Sequence, residues 1–184
     1  LGMNVITMNV GSDGWQLETE EGAIMNGGKA EHIKEAAMVM SAYCDVIGIR
    51  CFAGLEDKAE DDAEKVLMGF MKFATVPIIN LESSTLHPLQ SFADLITIES
   101  FKKVQKPKVV LTWAPHPKAL PQAVPNSFAQ WMNAWGEAEF VITHPIDYEL
   151  AETFTKGATI THDQNAALEN ADFVYVKNWS TYTD

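Results

Sequence analysis

Positive charge is scarce in this sequence. Its 13 Lys and Arg stand against 25 Asp and Glu, a formal net charge of −12, which argues against nucleic acid and anionic membranes as partners. Arg50 is the only arginine, so planar, two-pronged recognition of an oxyanion rests on it unless it is an ordinary surface charge. The two cysteines, Cys44 and Cys51, make no disulfide framework and have no metal-ligand spacing with histidine. They read as small core residues, and their scarcity fits a reducing cytoplasm. No apolar run reaches the roughly 18 residues that a membrane helix needs, and no charged segment followed by an apolar one opens the chain as in a secretion signal. No GxGxxG follows a strand-like run, so a dinucleotide fold lacks its central motif. Neither a catalytic triad nor a metal cluster is visible, and no metal or cofactor is implied.

What is present points to a globular α/β protein. Hydrophobic residues make up 47% and charged residues 21% of 184 positions, with a mean hydropathy of −0.07, enough for one large or two small domains. Apolar runs alternate between strand-like and helix-like periods. The pattern predicts strands at 3–8, 46–49, 76–80, 108–113, 140–143, 159–161 and 173–176. It predicts helices at 31–43, 61–73, 91–104, 128–134 and 165–170, with Asn126 as N-cap of the fourth. Lys106-Pro107 breaks the pattern and divides the chain into domains 1–105 and 106–184. Such βαβ units imply two mostly parallel sheets with ligands at the carboxyl ends of the strands.

Residues at those ends are the candidates for chemistry. His87-Pro88-Leu89-Gln90 precedes an amphipathic run, placing an imidazole and a carboxamide near a helix N-terminus, where orphan N–H groups favour an anion. Pro88 suits a helix entry because its missing N–H loses nothing there. By itself the tetrapeptide is better explained as a helix cap with a surface histidine. Arg50 closes the strand VIGIR, Glu82 the strand VPIINLE and Lys177 the strand FVYVK, while His116 lies in the rigid loop WAPHP. Taken singly, each is also what a solvated strand end or loop carries. Trp15 follows a Gly-rich loop, Gly11 to Gly14, and either docks elsewhere or packs on its own domain.

The segments WQLETEEGAIMNGG, DVIGIRCFA, INLESSTLHPLQSFADL, LTWAPHPKALPQAVPNSFAQWMN and ADFVYVKNW resemble the acylornithine carbamoyltransferases. These form the branch of the ornithine transcarbamylase family that acts on N-acetyl- or N-succinylornithine, and His-Pro-x-Gln resembles the family's carbamoyl-phosphate signature. The resemblance implies a transcarbamylase fold with a carbamoyl-phosphate domain in 1–105 and an acylornithine domain in 106–184, both incomplete. It implies carbamoyl-phosphate contacts from Arg50, His87 and Gln90, and from Trp15 on a loop reaching a neighbouring subunit of a homotrimer. It implies acylornithine contacts from Glu82, His116 and Lys177. Ala30 resembles the acyl-pocket discriminator, and its small side chain favours a succinyl over an acetyl tail.

Two alternatives stay open at this point. An ordinary ornithine carbamoyltransferase would carry an Asp-x-x-x-Ser-Met-Gly loop, and no SMG is found. A binding protein with the fold but no turnover would lack the family's Ser-x-Arg-Thr-Arg phosphate loop. That loop and the His-Cys-Leu-Pro segment are not in these 184 residues, so the chain reads as an internal fragment of a longer enzyme. Residues that act as a unit do not contribute additively, so the 184 residues alone are expected to transfer no carbamoyl group. Release of citrulline derivative by the purified chain would contradict this.

Overall fold

Strands and helices alternate along the chain. In the computed structural model, which describes residues 2–10 and 16–182, they are β1 (Leu17–Glu18), β2 (Glu31–His32), α1 (Ile33–Ser41), β3 (Ile47–Arg50), α2 (Lys58–Ala63), α3 (Lys65–Phe73), β4 (Ile78–Glu82) and α4 (Pro88–Phe101). There follow β5 (Lys108–Trp113), α5 (Ala123–Trp135), β6 (Glu139–Thr143), α6 (Glu152–Thr155), β7 (Thr159–Thr161), α7 (Gln164–Leu168) and β8 (Phe173–Lys177). Two compact units result, and no single cut in the chain separates them. One is Leu1–Gly48 with Lys65–Ile79, the other Ile49–Glu64 with Asn80–Asp184. No helix of the described residues is long and apolar enough to cross a membrane.

In the first unit β1 and β2 form a short parallel pair, Leu17 opposite Glu31, and α1 packs on α3. The contact buries Ile33, Ala36 and Ala37 of α1 and Leu67 and Phe70 of α3. Gly69 lets the helices close up, since a Cβ there would stand 2.5 Å from Cδ1 of Ile33. The expected strand at 3–8 is not formed. Val5 and Ile6 are exposed, and among the described residues no strand pairs with the segment, which leaves its backbone without the ladder that would hold it extended. Cys44 and Cys51 are half-buried, not core residues.

The second unit is built on a four-stranded parallel sheet in the order β7-β6-β5-β8. The middle of its strand β5, Val109 to Leu111, is continuously apolar because both faces are covered. Val109 and Leu111 join Ile98, Phe128, Met132, Phe140, Ile142 and Trp179 on one side, while Val110 meets Val141 and Ala167 on the other. Helix α4 packs against α5, where the Trp131 indole N–H donates to the Pro88 carbonyl at 3.1 Å.

Two helix boundaries differ from the expected ones. The predicted helix 61–73 is two helices, parted by Glu64 in a left-handed conformation (φ 45°). Its carboxylate accepts from the Thr85 N–H at 3.0 Å and from the Thr85 hydroxyl at 2.8 Å, which offsets the backbone strain. Helix α5 begins at Ala123, not near Phe128. Pro125 fits its first turn, where no N–H is needed, and Asn126 lies buried inside the helix, donating to the Thr85 carbonyl at 3.2 Å. The helix ends at Gly136, whose φ of 70° suits a residue without Cβ.

Trp179 closes this core. It is fully buried, its indole N–H donates to the Tyr148 carbonyl at 2.8 Å, and its own carbonyl accepts from the Trp113 indole at 2.9 Å. Trp179→Ala should open a cavity and orphan the Tyr148 carbonyl, a loss of about 3–5 kcal/mol. Urea unfolding midpoints of the two forms test this, and equal midpoints would contradict it.

Candidate active site

Strands β3 and β4 end side by side, with the Cys51 N–H donating to the Glu82 carbonyl at 2.9 Å. Their last side chains therefore meet. Arg50 donates from Nε (2.9 Å) and Nη2 (2.7 Å) to Oε2 of Glu82, whose side chain is only 8% exposed against 58% for Arg50. Two of the five guanidinium N–H groups are thus directed at the carboxylate, while the side chain as a whole stays more than half exposed. The guanidinium also lies 4.8 Å from the Phe52 ring centroid.

A tight turn carries the chain from β4 into α4. Ser83 N–H donates to the Leu86 carbonyl at 2.7 Å, and Leu86 N–H donates to Oγ of Ser83 at 3.2 Å. His87 follows, its N–H held by Oγ of buried Ser127 at 2.7 Å, and Pro88 opens the helix. The His87 Nε2 is 3.6 Å from the same Glu82 oxygen that Arg50 holds, and its Nδ1 is buried with no hydrogen-bond partner. Arg50, Glu82 and His87 are brought together as one cluster.

Gln90 lies one turn further along α4 and is drawn into a second group. Its Nε2 donates to the Tyr175 hydroxyl at 2.9 Å. Tyr175 stacks on Phe128 with ring centroids 4.1 Å apart and 9° between planes. Burial holds the Asp94 carboxyl above its ordinary range, opposed by Tyr175 and the charges of His87 and Lys177. Burial, with the Asp94 charge beside it, also pushes the Tyr175 phenol well up.

Lys177 ends β8 near Asp94. Its carbonyl accepts from the Ala114 N–H at 3.0 Å, and Asn178 donates to the Ala114 carbonyl at 2.9 Å. The loop after β5 is thereby fixed to the end of β8. His116 stands exposed on that loop, its Nδ1 accepting from the Lys118 N–H at 3.1 Å. Ala30 belongs to the other compact unit, where it lines a shallow hollow with Gly22, Ala23, Met25, His32 and Lys34. Trp15 lies outside the described residues.

Asp94, Tyr175 and Ser127 were not among the residues expected from the sequence. A partial signal exists: Asp94 is four positions after Gln90 on one helix face, and Tyr175 two before Lys177 on one strand face. Chemically, the assembly offers a cation edge and an imidazole around a fixed carboxylate at the start of a 14-residue helix. Such a place can take an anion and polarise a carbonyl oxygen.

The aspartate/ornithine carbamoyltransferase, carbamoyl-P binding domain, family model matches residues 1–100. An N-succinylornithine carbamoyltransferase of Bacteroides thetaiotaomicron is 56% identical over 183 residues, covering all of this chain and 57% of that protein. An N-acetylornithine carbamoyltransferase of Xanthomonas campestris pv. campestris is 34% identical over 97% of this chain and 57% of its own length. Among solved structures, a mutant N-acetyl-L-ornithine transcarbamylase complexed with carbamyl phosphate and N-succinyl-L-norvaline superposes with a TM-score of 0.84. It is 36% identical over 94% of this chain and 56% of that one. The chain therefore spans a little over half the length of the relatives it matches.

The raised Asp94 carboxyl has a consequence for stability. The folded state binds this proton more tightly than the unfolded chain does, so the associated stability is present below the ordinary carboxylate value and lost as pH rises through the raised one. Asp94→Asn removes that loss. Its stability relative to the natural sequence should therefore improve as pH rises above the ordinary carboxylate value. Denaturant midpoints across that range test the sign, and a difference that is flat or runs the other way would refute it.

Proposed function

The chain belongs to the aspartate/ornithine carbamoyltransferase family, and on that premise we propose that the full-length protein transfers the carbamoyl group of carbamoyl phosphate to the δ-amine of an N-acylated ornithine. The preferred tail is succinyl, and the step serves arginine biosynthesis in the cytoplasm. The observation that carries this reading is the convergence of Arg50 and His87 on Glu82 at the strand ends before α4. The 56% identity to a protein named N-succinylornithine carbamoyltransferase supports the choice of tail.

In this reading residues 1–105 contribute to the carbamoyl-phosphate domain and 106–184 to the acylornithine domain. Arg50 spans a phosphate oxygen and the carbamoyl oxygen with its remaining N–H groups. His87 donates to the carbamoyl oxygen, and Gln90 holds the carbamoyl nitrogen. The neutral δ-amine attacks the carbamoyl carbon, a C–N bond forms and negative charge gathers on the oxygen, where Arg50 and His87 stabilise it. The C–O bond to phosphate then breaks, phosphate leaves and the nitrogen loses its proton. Positioning and charge neutralisation suffice for this chemistry. Glu82 orders the incoming amine as well as Arg50, while His116 and Lys177 pair with the acylornithine α-carboxylate. Trp15 completes the carbamoyl-phosphate site of a neighbouring subunit in a homotrimer, and Ala30 leaves room for the succinyl tail.

Initial-rate kinetics on the full-length protein test these assignments. N-succinylornithine should be used at least as well as N-acetylornithine, and free ornithine not at all. Ala30→Glu should shift preference toward acetyl, since opposed like charges in a dry pocket cost several kcal/mol. Arg50→Ala should lower kcat/KM for carbamoyl phosphate by about tenfold to a hundredfold, the value of a charged hydrogen bond. Glu82→Ala should fall mainly on the acylornithine side. Preference for free ornithine would overturn the branch, and an unchanged carbamoyl-phosphate dependence in Arg50→Ala would overturn the anion site.

A further inference from the structure

We propose that Glu64 is a positioning residue for His87, acting through Thr85 in the turn that joins β4 to α4. The inference rests on the reading above, in which His87 donates to the carbamoyl oxygen.

The His87 ring is not located by hydrogen bonds of its own. Its Nδ1 is buried with no partner, and the side chain caps no helix N–H. Its Nε2 stands 3.6 Å from Oε2 of Glu82, beyond the reach of a hydrogen bond. The imidazole therefore takes its position from packing and from its main chain, so whatever holds the turn before α4 also holds the ring.

Thr85, two residues before His87, is held on both of its peptide groups. Its N–H and its hydroxyl donate to Oε1 of Glu64 at 3.0 and 2.8 Å. Its carbonyl accepts from Nδ2 of buried Asn126 at 3.2 Å. Two adjacent peptide planes are thus fixed, which leaves the chain little freedom as it enters Leu86 and His87. The bonds between Ser83 and Leu86 are internal to the turn and set its shape. Asn126 and Ser127 tie it to its surroundings, but both belong to α5. Glu64, between α2 and α3, is a tether from a different part of the chain.

Glu64 itself carries the mark of this demand. Its φ of 45° is a conformation that a residue with a Cβ adopts at a cost and a glycine adopts freely. A glycine there would relax the backbone but bring no acceptor to Thr85. Strain retained at a residue whose side chain reaches the turn before His87 points to positioning, because a purely local role is better served by glycine.

The test uses that contrast in the full-length protein. Glu64→Gly relaxes the backbone and removes the acceptor, whereas Glu64→Gln keeps an amide oxygen able to take both bonds. Each is assayed for carbamoyl transfer to N-succinylornithine, and inorganic phosphate is titrated by calorimetry to probe the anion site. Glu64→Gly should lower kcat about tenfold or more, the scale of a small displacement of a reacting group. Its dissociation constant for phosphate should stay within about threefold, because Arg50, not His87, holds the phosphate in this reading. Glu64→Gln should keep kcat within about threefold of the natural value. An undiminished kcat in Glu64→Gly would overturn the proposal. So would a parallel fall of kcat and phosphate affinity, which is general loosening and not displacement of one ring. Equal losses in Glu64→Gly and Glu64→Gln would overturn it too, since the acceptor would then be irrelevant. If Glu64→Gly does not fold, Thr85→Val decides, because it keeps the shape and removes the hydroxyl donor. A lowered kcat at unchanged phosphate affinity supports the proposal there, and an unchanged kcat overturns it. A natural protein that transfers no carbamoyl group would remove the functional reading and this inference with it. That outcome differs visibly from an active natural protein and an equally active Glu64→Gly variant.

Discussion

A carboxylate held out of water at Glu82 sets the terms for the strand ends around it. Removing an ionised carboxyl from solvent is unfavourable unless donors and opposite charge compensate, and the Glu82 side chain is 8% exposed. Arg50 supplies two N–H donors to one of its oxygens, and His87 stands 3.6 Å from the same atom. The end of β3, the end of β4 and the entry to α4 are therefore bound to one point. Because Arg50 is more than half exposed, solvent screens the pair, and its direct contribution to stability is on the order of 1 kcal/mol or less. Its larger effect is geometric, since two N–H groups of the guanidinium are held on the carboxylate.

The elements legible in the sequence are those whose cause is local. The middle of β5 is continuously apolar because both faces are covered, and Val109, Val110 and Leu111 show that pattern directly. The entry to α4 is legible because Pro88 fits a first helical position whatever surrounds it. Where tertiary partners decide, local reasoning fails. Asn126 has the side chain of a cap, but the Thr85 carbonyl takes it into the helix interior. Glu64 has no residue-type reason to adopt a left-handed conformation, and the hydrogen bonds that compensate for it come from the same distant Thr85. Residues 3–8 have a strand's composition and, among the described residues, no strand to pair with.

The site divides along the same line. Arg50, Glu82 and His87 could be singled out because charged and imidazole side chains at strand ends point to chemistry one residue at a time. Asp94 and Tyr175 could not, because neither is informative until the other is beside it. Asp94 is half-buried, and burial is a property of the fold. Tyr175, in the middle of a strand, reads as packing, and its stack on Phe128 is indeed packing. Only the hydrogen bond that its hydroxyl accepts from Gln90 sets it apart from an ordinary packing residue.

The overall charge of −12 also loses its force at this scale. Arg50 has Glu82 beside it, and Lys177 lies near Asp94, so each cation meets a local acid and the distant ones are screened within about a Debye length. Direction of hydrogen bonding then matters as much as net charge. A glutamate in place of Gln90 would keep the shape and an acceptor oxygen, and so would seem a modest change. It would offer no proton to the Tyr175 hydroxyl, and it would set a second carboxylate near Asp94. The carboxamide is neutral, and it donates at one end while accepting at the other. Those two properties let one side chain hold the Tyr175 hydroxyl at one end and present an acceptor at the other.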